Sequence, residues 1–236
     1  MLQACNSGSA TQVIGHRGAM GHETENTLAS IEKALEIGVD MIEVDVFRIA
    51  SGEIAVFHDE RVDRLSNGAG RIEEYKVTEL KALTLTGGHR IPLLQDVLKT
   101  IDHRVPLNIE LKGAGTADRV NFITDYYIRE RGWKPDHFLF SSFNWDELRE
   151  MRKLNPDARI AVLTEGDPTE ALEVARELQA EAINPAAAGL TPAQVAALHD
   201  AGFRVNVWTV NDPAEFAALR EMGVDGVFTD FPDRMR

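Results

Sequence analysis

The 236-residue sequence has almost no cysteine, no long apolar run and a deficit of positive charge. Its one cysteine, Cys5, excludes an internal disulfide. Lysine and arginine number 25 against 38 acidic residues, and the resulting net charge of -13 argues against a nucleic-acid-binding surface, which needs clustered cations. No window approaches the roughly 18 consecutive apolar residues that span a bilayer. We therefore expect neither a nucleic-acid partner nor a transmembrane segment.

The N-terminus bears on where the protein is located. Leu2-Gln3-Ala4-Cys5 and the polar residues after it resemble the cleavage box of a bacterial lipoprotein, although the charged and apolar regions of a signal peptide are missing upstream. We expect residues 1–11 to be a flexible segment and the protein to be cytoplasmic. The alternative is a lipid-anchored or periplasmic protein, if Cys5 is the lipoprotein cysteine of a longer precursor.

Composition and pattern predict one α/β domain over residues 12–236. The 44% hydrophobic and 27% charged fractions are those of an ordinary globular protein. From residue 12 onward, short β-branched runs alternate with segments of helical period. The predicted strands are 12–15, 41–49, 107–111, 138–143, 159–163, 181–184, 204–210 and 226–229. Eight parallel strands close a TIM-type (β/α)8 barrel, whereas the competing doubly wound sheet lacks a Gly-rich nucleotide fingerprint.

A further strand, 54–58, follows the second strand after only three residues. So short a link cannot make a parallel crossover and predicts a hairpin. A turn centred on Ser51-Gly52 would pair Asp45 with His58. The Gly-, Asn- and charge-rich segment of about 60–91 is then a small insertion after strand 2, of a length that is usually functional.

Acidic residues lie on the inward face of two predicted strands. Glu43 and Asp45 are two positions apart and share one face of strand 2, and Glu110 and Lys112 do the same on strand 3. A divalent cation allows such acids to ionise together, and oxygen ligands suit Mg²⁺ or Ca²⁺. The sequence therefore predicts a metal site of Glu43, Asp45 and Glu110. The alternative is a buried Glu–Lys ion pair with carboxylates at the rim.

Two histidines lie near these acids, His16 after strand 1 and His58 after the hairpin strand. Two imidazoles beside a cation provide a general acid and a general base for displacement at phosphorus, although either histidine alone could be structural. Arg17 and Lys112 supply local positive charge for a phosphate. Glu25 has either a structural hydrogen-bonding role or a supporting role behind the site.

Two aromatic residues, Phe143 and Trp208, lie at strand ends on the same rim. We expect them to line the substrate-binding cavity, with a core position as the alternative for Trp208. His22 is expected to be solvated. The remaining histidines are assigned no chemistry: His89, His103, His137 and His199.

Seven short motifs, in order along nearly the whole chain, together carry a family resemblance. They are "GHRG…TENT", "EVDV", "VFHD", "NIELK", "SSF", "VNVWTVND" and "DGVFTD.P". From about Ile14 to Pro232 the sequence resembles the glycerophosphodiester phosphodiesterase family of the phosphatidylinositol-phospholipase-like superfamily. Thr24 departs from the pattern, because the family usually has proline before Glu-Asn-Thr, and a looser loop is expected there.

The resemblance implies a single catalytic barrel domain that hydrolyses glycerophosphodiesters to sn-glycerol 3-phosphate and an alcohol. It also implies that His16 and His58 are the acid/base pair and that Glu43, Asp45 and Glu110 are the metal ligands. Arg17 and Lys112 correspond to the family's phosphate contacts. The nucleophile could be water or the substrate's own 2-hydroxyl, which would give a cyclic phosphate. A lysophospholipase D-type or phosphoinositide-type activity is the rival enzyme function. A non-catalytic module that binds a phosphorylated ligand is the other rival.

Overall fold

A computed structural model describes residues 10–235, so Cys5 and most of the predicted flexible segment lie outside the described residues. The chain alternates strands and helices. The strands are β1 (Gln12–Gly15), β2 (Met41–Arg48), β3 (Ile54–Val56), β4 (Leu107–Leu111), β5 (Phe138–Ser142), β6 (Ile160–Thr164), β7 (Ala182–Pro185), β8 (Arg204–Val207) and β9 (Gly226–Thr229). The helices are α1 (Leu28–Ile37), α2 (Val77–Leu80), α3 (Leu94–Ile101), α4 (Ala117–Glu130), α5 (Trp145–Leu154), α6 (Leu172–Glu177), α7 (Pro192–Asp200) and α8 (Pro213–Glu221).

The sheet closes on itself. Its order is β1-β9-β8-β7-β6-β5-β4-β2, and β1 pairs with β2 to complete the ring, with every pairing in this ring parallel. β3 pairs antiparallel with β2 and lies outside the ring. The predicted TIM-type barrel is therefore confirmed.

Strand alternation sorts the side chains of β2 between two apolar clusters. Ile42, Val44 and Val46 pack in the large cluster beneath the helices, whereas Met41 belongs to a smaller cluster with Ile14 and residues of four other strands. Since every second residue of a strand faces the same way, the even positions 42, 44 and 46 face the helices and the odd positions 41, 43 and 45 face the barrel interior. This alternation directs Glu43 and Asp45 inward.

The helices begin where the sequence indicates. Side-chain oxygens accept backbone N–H hydrogen bonds at the first turns of several helical segments. These N-cap residues are Thr27, Asn144, Asp167, Thr191 and Asp212. Helix α3 lies between the predicted insertion of about 60–91 and the predicted strand 107–111, where no element was predicted, although its buried residues Leu94, Val97, Leu98 and Ile101 follow helical spacing.

The predicted hairpin is present, but its predicted register is wrong by one residue. Val46 pairs with Val56, so Asp45 lies opposite Phe57, and Phe57 N–H donates to the Asp45 carbonyl at 2.9 Å. The reason is a three-residue loop, Ala50 to Gly52, closed by Ile49 N–H donating to the Glu53 carbonyl at 3.0 Å. Gly52 has a φ of 93°, the left-handed conformation that such loops use.

The segment between β3 and α3 builds a small apolar cluster of its own against the hairpin face that carries Phe47 and Ala55. Phe57, Val62, Ile72 and Leu80 are fully buried there. This segment also contacts the loop after β1, because the Thr24 hydroxyl donates to the Thr86 carbonyl at 2.9 Å. Thr24 thus ties down the loop that the loss of proline was expected to loosen. Among the described residues, no helix has the length and apolar character needed to cross a membrane.

Candidate active site

A cavity of about 320 Å³ opens among the carboxyl ends of the barrel strands. Eight of the nine site residues predicted from the sequence line it: His16, Arg17, Glu43, His58, Glu110, Lys112, Phe143 and Trp208. The ninth, Asp45, is 1% exposed and lies behind the lining residues. Further lining residues that the sequence analysis did not single out include Asn108, Ser141, Leu163, Glu165 and Phe228.

The three predicted metal-binding acids are close together. One carboxylate oxygen each of Glu43, Asp45 and Glu110 lies within 4.8 Å of the other two. The parallel register explains the cluster, because β2 and β4 place Asp45 directly beside Glu110. Glu43 is one inward position earlier on the same strand. Adjacent strands in register therefore build this cluster from three ordinary inward positions.

The acid cluster is short of positive charge. Burial raises the pKa of Glu43 well above its usual value, and the neighbouring Asp45 and Glu110 raise it further. Burial, followed by the charge of Asp45, raises the pKa of Glu110 to about 7. Glu43 Oε1 is buried with no hydrogen-bond partner in residues 10–235, and so is Oδ1 of Asn108, which is level with Glu43 on β4. An all-oxygen set with unpaired buried atoms fits a hard divalent cation.

Lys112 forms the ion pair that the alternative interpretation requires. Its Nζ lies 3.0 Å from Glu110 and 3.7 Å from Asp45. Neither contact reaches Glu43, whose Oε2 instead accepts a hydrogen bond from Arg17 N–H at 2.8 Å. A Glu–Lys ion pair therefore accounts for part of the cluster and leaves Glu43 without an ion-pair partner among the described residues.

The Arg17 side chain contacts two acids. Its Nη1 donates to Glu25 at 2.7 Å, and its Nε lies 3.2 Å from Asp45. Arg17 has a φ of 51° and is followed by Gly18 at 86°; a Cβ on Gly18 would lie 2.4 Å from the Ser30 hydroxyl. The tight turn after β1 therefore needs glycine at 18 and directs both the N–H and the guanidinium of Arg17 to the acids.

His16 is supported by a carboxylate and an amide. Its Nδ1 lies 2.7 Å from Asp230, which follows β9, the neighbour of β1. The other Asp230 oxygen accepts from Asn211 Nδ2 at 2.7 Å, and Asp230 N–H donates to Asn211 Oδ1 at 2.9 Å. Burial opposes ionisation of Asp230, but the hydrogen bond from His16 and further polar contacts hold its pKa below the usual value.

His58 is supported by a carboxylate and an arginine. Its Nδ1 lies 2.7 Å from Asp59, whose other oxygen accepts from Arg64 Nε at 2.5 Å. Burial lowers the pKa of His58. In each case the carboxylate occupies Nδ1, which leaves Nε2 as the free nitrogen of the ring.

Sequence reasoning missed Asp59, Asp230, Asn211 and Arg64. Asp230 carried a signal, since it directly follows β9 at the functional end of the barrel, and Asp59 directly follows the predicted strand 54–58. Arg64 lies in the segment after β3 and carried none. Glu25, 6% exposed, binds both Arg17 and Arg64 and does not line the cavity. His22 is not merely solvated, because its ring bonds Asp233 at 2.6 Å.

The opposite part of the cavity is mainly apolar, although Glu165 and Thr209 also line it. Phe143, which follows β5, meets Trp208, which follows β8, edge to face with ring centres 5.3 Å apart. Trp208 Nε1 donates to the Asn184 carbonyl at 2.9 Å, which fixes the ring. Phe143 remains 40% exposed. The pair therefore presents an aromatic surface to the cavity, facing the charged residues on β1, β2 and β4.

Comparisons with known proteins agree with this arrangement. The family model described as "Glycerophosphoryl diester phosphodiesterase family" matches residues 16–234. A glycerophosphodiester phosphodiesterase of Bacillus altitudinis is 35% identical over 95% of this chain and 96% of its own. A glycerophosphodiester phosphodiesterase of Caldanaerobacter subterraneus is 32% identical over 95% of this chain and 96% of its own.

Among solved structures, an Oleispira antarctica phosphodiesterase in complex with the product sn-glycerol-3-phosphate is similar. It superposes with a TM-score of 0.88 at 29% identity, covering 96% of this chain and 95% of its own. The barrel, the cavity and these matches over nearly the full length agree. The chain belongs to the glycerophosphoryl diester phosphodiesterase family and is an enzyme with that activity.

Proposed function

We propose that the protein is a divalent-cation-dependent enzyme that hydrolyses glycerophosphodiesters such as glycerophosphocholine or glycerophosphoethanolamine. The products are sn-glycerol 3-phosphate and the alcohol. The observation that carries the proposal is the cluster of Glu43, Asp45 and Glu110 in one cavity with two histidines, each bonded to its own carboxylate. Support for the product comes from the similar Oleispira enzyme, whose structure contains sn-glycerol-3-phosphate.

Glu43, Asp45 and Glu110 would hold Mg²⁺ or Ca²⁺. When bound, such a cation would neutralise negative charge on the phosphate. Arg17 and Lys112 contact the phosphate oxygens from the two sides of the acid cluster. Phe143 and Trp208 pack against the apolar part of the substrate.

His16 and His58 act as a general acid/base pair. One imidazole takes the proton of the attacking hydroxyl group as the new P–O bond forms. The other gives a proton to the leaving alkoxide as the old P–O bond breaks, so the alcohol leaves neutral. Asp230 and Asp59 hold the rings so that each Nε2 is the atom that exchanges the proton.

Release of glycerol 3-phosphate from glycerophosphocholine tests the proposal. Purified protein is assayed in EDTA and again after Mg²⁺ or Ca²⁺ is restored. Product that disappears with EDTA and returns with one cation is expected. A choline lysophospholipid is assayed in parallel, and turnover of that lipid alone would favour the lysophospholipase D-type activity. Binding of glycerol 3-phosphate with no turnover of any diester would indicate a binding module.

A further inference from the structure

Arg64 lies outside the cavity, at the end of a 3-10 turn, Val62–Arg64, in the segment after β3. Its side chain is 49% exposed, yet its guanidinium donates to two carboxylates of the site. Nε donates to Asp59 Oδ2 at 2.5 Å, while Nη1 and Nη2 donate to the two oxygens of Glu25 at 2.9 and 2.8 Å. We propose that Arg64 is a positioning residue that holds His58 and Arg17 through these two carboxylates.

The two carboxylates are hydrogen-bonded to different residues of the site. Asp59 bonds His58 Nδ1 at 2.7 Å, and Glu25 bonds Arg17 Nη1 at 2.7 Å. His58 belongs to the proposed acid/base pair and Arg17 to the proposed phosphate contacts, so this inference rests on the proposed function. One guanidinium thus fixes a group that moves protons and a group that binds substrate.

The shape of arginine suits this position. Its planar fork binds both oxygens of Glu25 and still directs Nε to Asp59. A lysine ammonium is a single point charge and cannot reproduce that geometry. Without the positive charge at position 64, the carboxylates of Asp59 and Glu25 would repel each other, and each would be free to turn away from the residue it supports.

Arg61 provides a matched control in the same segment. Its side chain is 59% exposed and pairs with Asp63 at 3.1 Å, a carboxylate that is itself 43% exposed. Neither residue lines the cavity. Removing Arg61 takes one positive charge from the same surface but breaks no contact to His58 or Arg17.

The first experiment measures kcat and KM for glycerophosphocholine at saturating cation in Arg64→Gln, Arg64→Lys and Arg61→Gln. Loss of partners that orient active groups typically costs about 10- to 100-fold. We expect that loss of kcat/KM in Arg64→Gln, a smaller loss in Arg64→Lys, and a change within about twofold in Arg61→Gln, as for an exposed ion pair. Arg64→Gln activity within twofold of the wild type would overturn the proposal. If Arg64→Gln fails to fold, the same threshold applies to Arg64→Lys.

A double variant identifies the route. If Arg64 acts through Asp59, the double variant Arg64→Gln/Asp59→Asn should have about the same kcat as the less active of the two single variants. A kcat equal to the product of the two separate losses would mean that Arg64 does not act through Asp59, and the His58 part of the proposal would fail.

A spectroscopic measurement separates this proposal from the proposed function. In ¹H–¹⁵N NMR of the histidine rings, the Nδ1–H signal of His58 should have the chemical shift of a hydrogen-bonded proton in the wild type and in Arg61→Gln. In Arg64→Gln the shift should move towards that of a proton with a weaker hydrogen bond. An unchanged signal in Arg64→Gln overturns the positioning role. The readout needs no turnover, so a wild type inactive with every cation would count against the proposed function alone.

Discussion

The cavity has two sides that differ in how their residues are held. The charged side is lined by His16, Arg17, Glu43, His58, Glu110 and Lys112, contributed by β1, β2, β4 and the hairpin, and Asp45 is buried behind it. The mainly apolar side is lined by Phe143, Leu163, Trp208 and Phe228, with the polar residues Glu165 and Thr209 beside them, and is contributed by β5, β6, β8 and β9. Each side is one arc of the closed sheet.

On the charged side nearly every group is bonded to another. Arg17 alone contacts Glu25, Glu43 and Asp45. On the apolar side the principal fixed contact is the hydrogen bond of Trp208 to Asn184, and packing does the rest. Substitutions on the charged side should therefore have large, non-additive effects on activity, whereas those on the apolar side should have small, independent effects.

The largest effect is expected from the histidines. His16→Ala and His58→Ala should each lower turnover of glycerophosphocholine by at least about 100-fold, because general acid/base groups contribute that much. Steady-state assays at saturating cation measure it, with thermal unfolding as the control for folding. Near wild-type turnover in both variants would remove the histidines from the proposed mechanism.

The second effect is on thermal stability: binding of the cation should change the order in which the wild type and Glu43→Gln melt. In EDTA, Glu43→Gln should melt above the wild type, because the substitution removes a buried carboxyl group that has an unpaired oxygen and whose ionisation is opposed by burial and by two neighbouring acids. At about 100 times the dissociation constant, Mg²⁺ or Ca²⁺ should raise the wild-type Tm by about 5–10 °C. The variant should gain less. A variant that melts lower in EDTA would mean that Lys112 and Arg17 already compensate the cluster.

The third effect is a pH dependence of the cation-free protein. The pKa of Glu110 is raised to about 7 in the fold, so the folded state binds more protons than the unfolded state at neutral pH. The resulting stabilisation is present below the ordinary glutamate pKa and is lost as the pH rises through about 7. In EDTA the wild-type Tm should fall across that window relative to Glu110→Gln.

Saturating cation should abolish that difference, because it takes the place of the proton in compensating the carboxylate. Parallel Tm curves for the wild type and Glu110→Gln in EDTA would show that Glu110 is already ionised beside Lys112. The same scan on Phe143→Ala, from the apolar side, should follow the wild type at every pH.

The barrel and the acid cluster were predictable because their signals are local. Alternation along β2 puts Glu43 and Asp45 on one face, and the C-terminal ends of parallel strands meet at one edge. The hairpin register was not predictable with the same certainty. A three-residue loop and a loop centred on Ser51-Gly52 differ by one position, and that position decides whether Phe57 or His58 lies opposite Asp45.

The supporting residues required the fold. His16 and Asp230 are 214 positions apart in the sequence, and only the closure of β1 onto β9 brings them together. Arg64 reaches Glu25 across 39 positions from a segment without regular pattern. Local periodicity carries no information on such pairs, so the sequence predicts which groups do chemistry better than which groups hold them.

The smallest effect is expected from the apolar side. Phe143→Ala removes an aromatic pair with Trp208 while the rest of the cavity is unchanged, and such pairs contribute about 0.5–1.5 kcal/mol. KM for glycerophosphocholine should rise about twofold to tenfold with kcat nearly constant, because uniform binding is lost and proton transfer is not. Phe122→Ala, a 58% exposed aromatic on α4, is the control and should change neither constant. A tenfold fall in kcat for Phe143→Ala would mean that the aromatic pair orients the reacting phosphate, and that the two sides of the cavity are coupled.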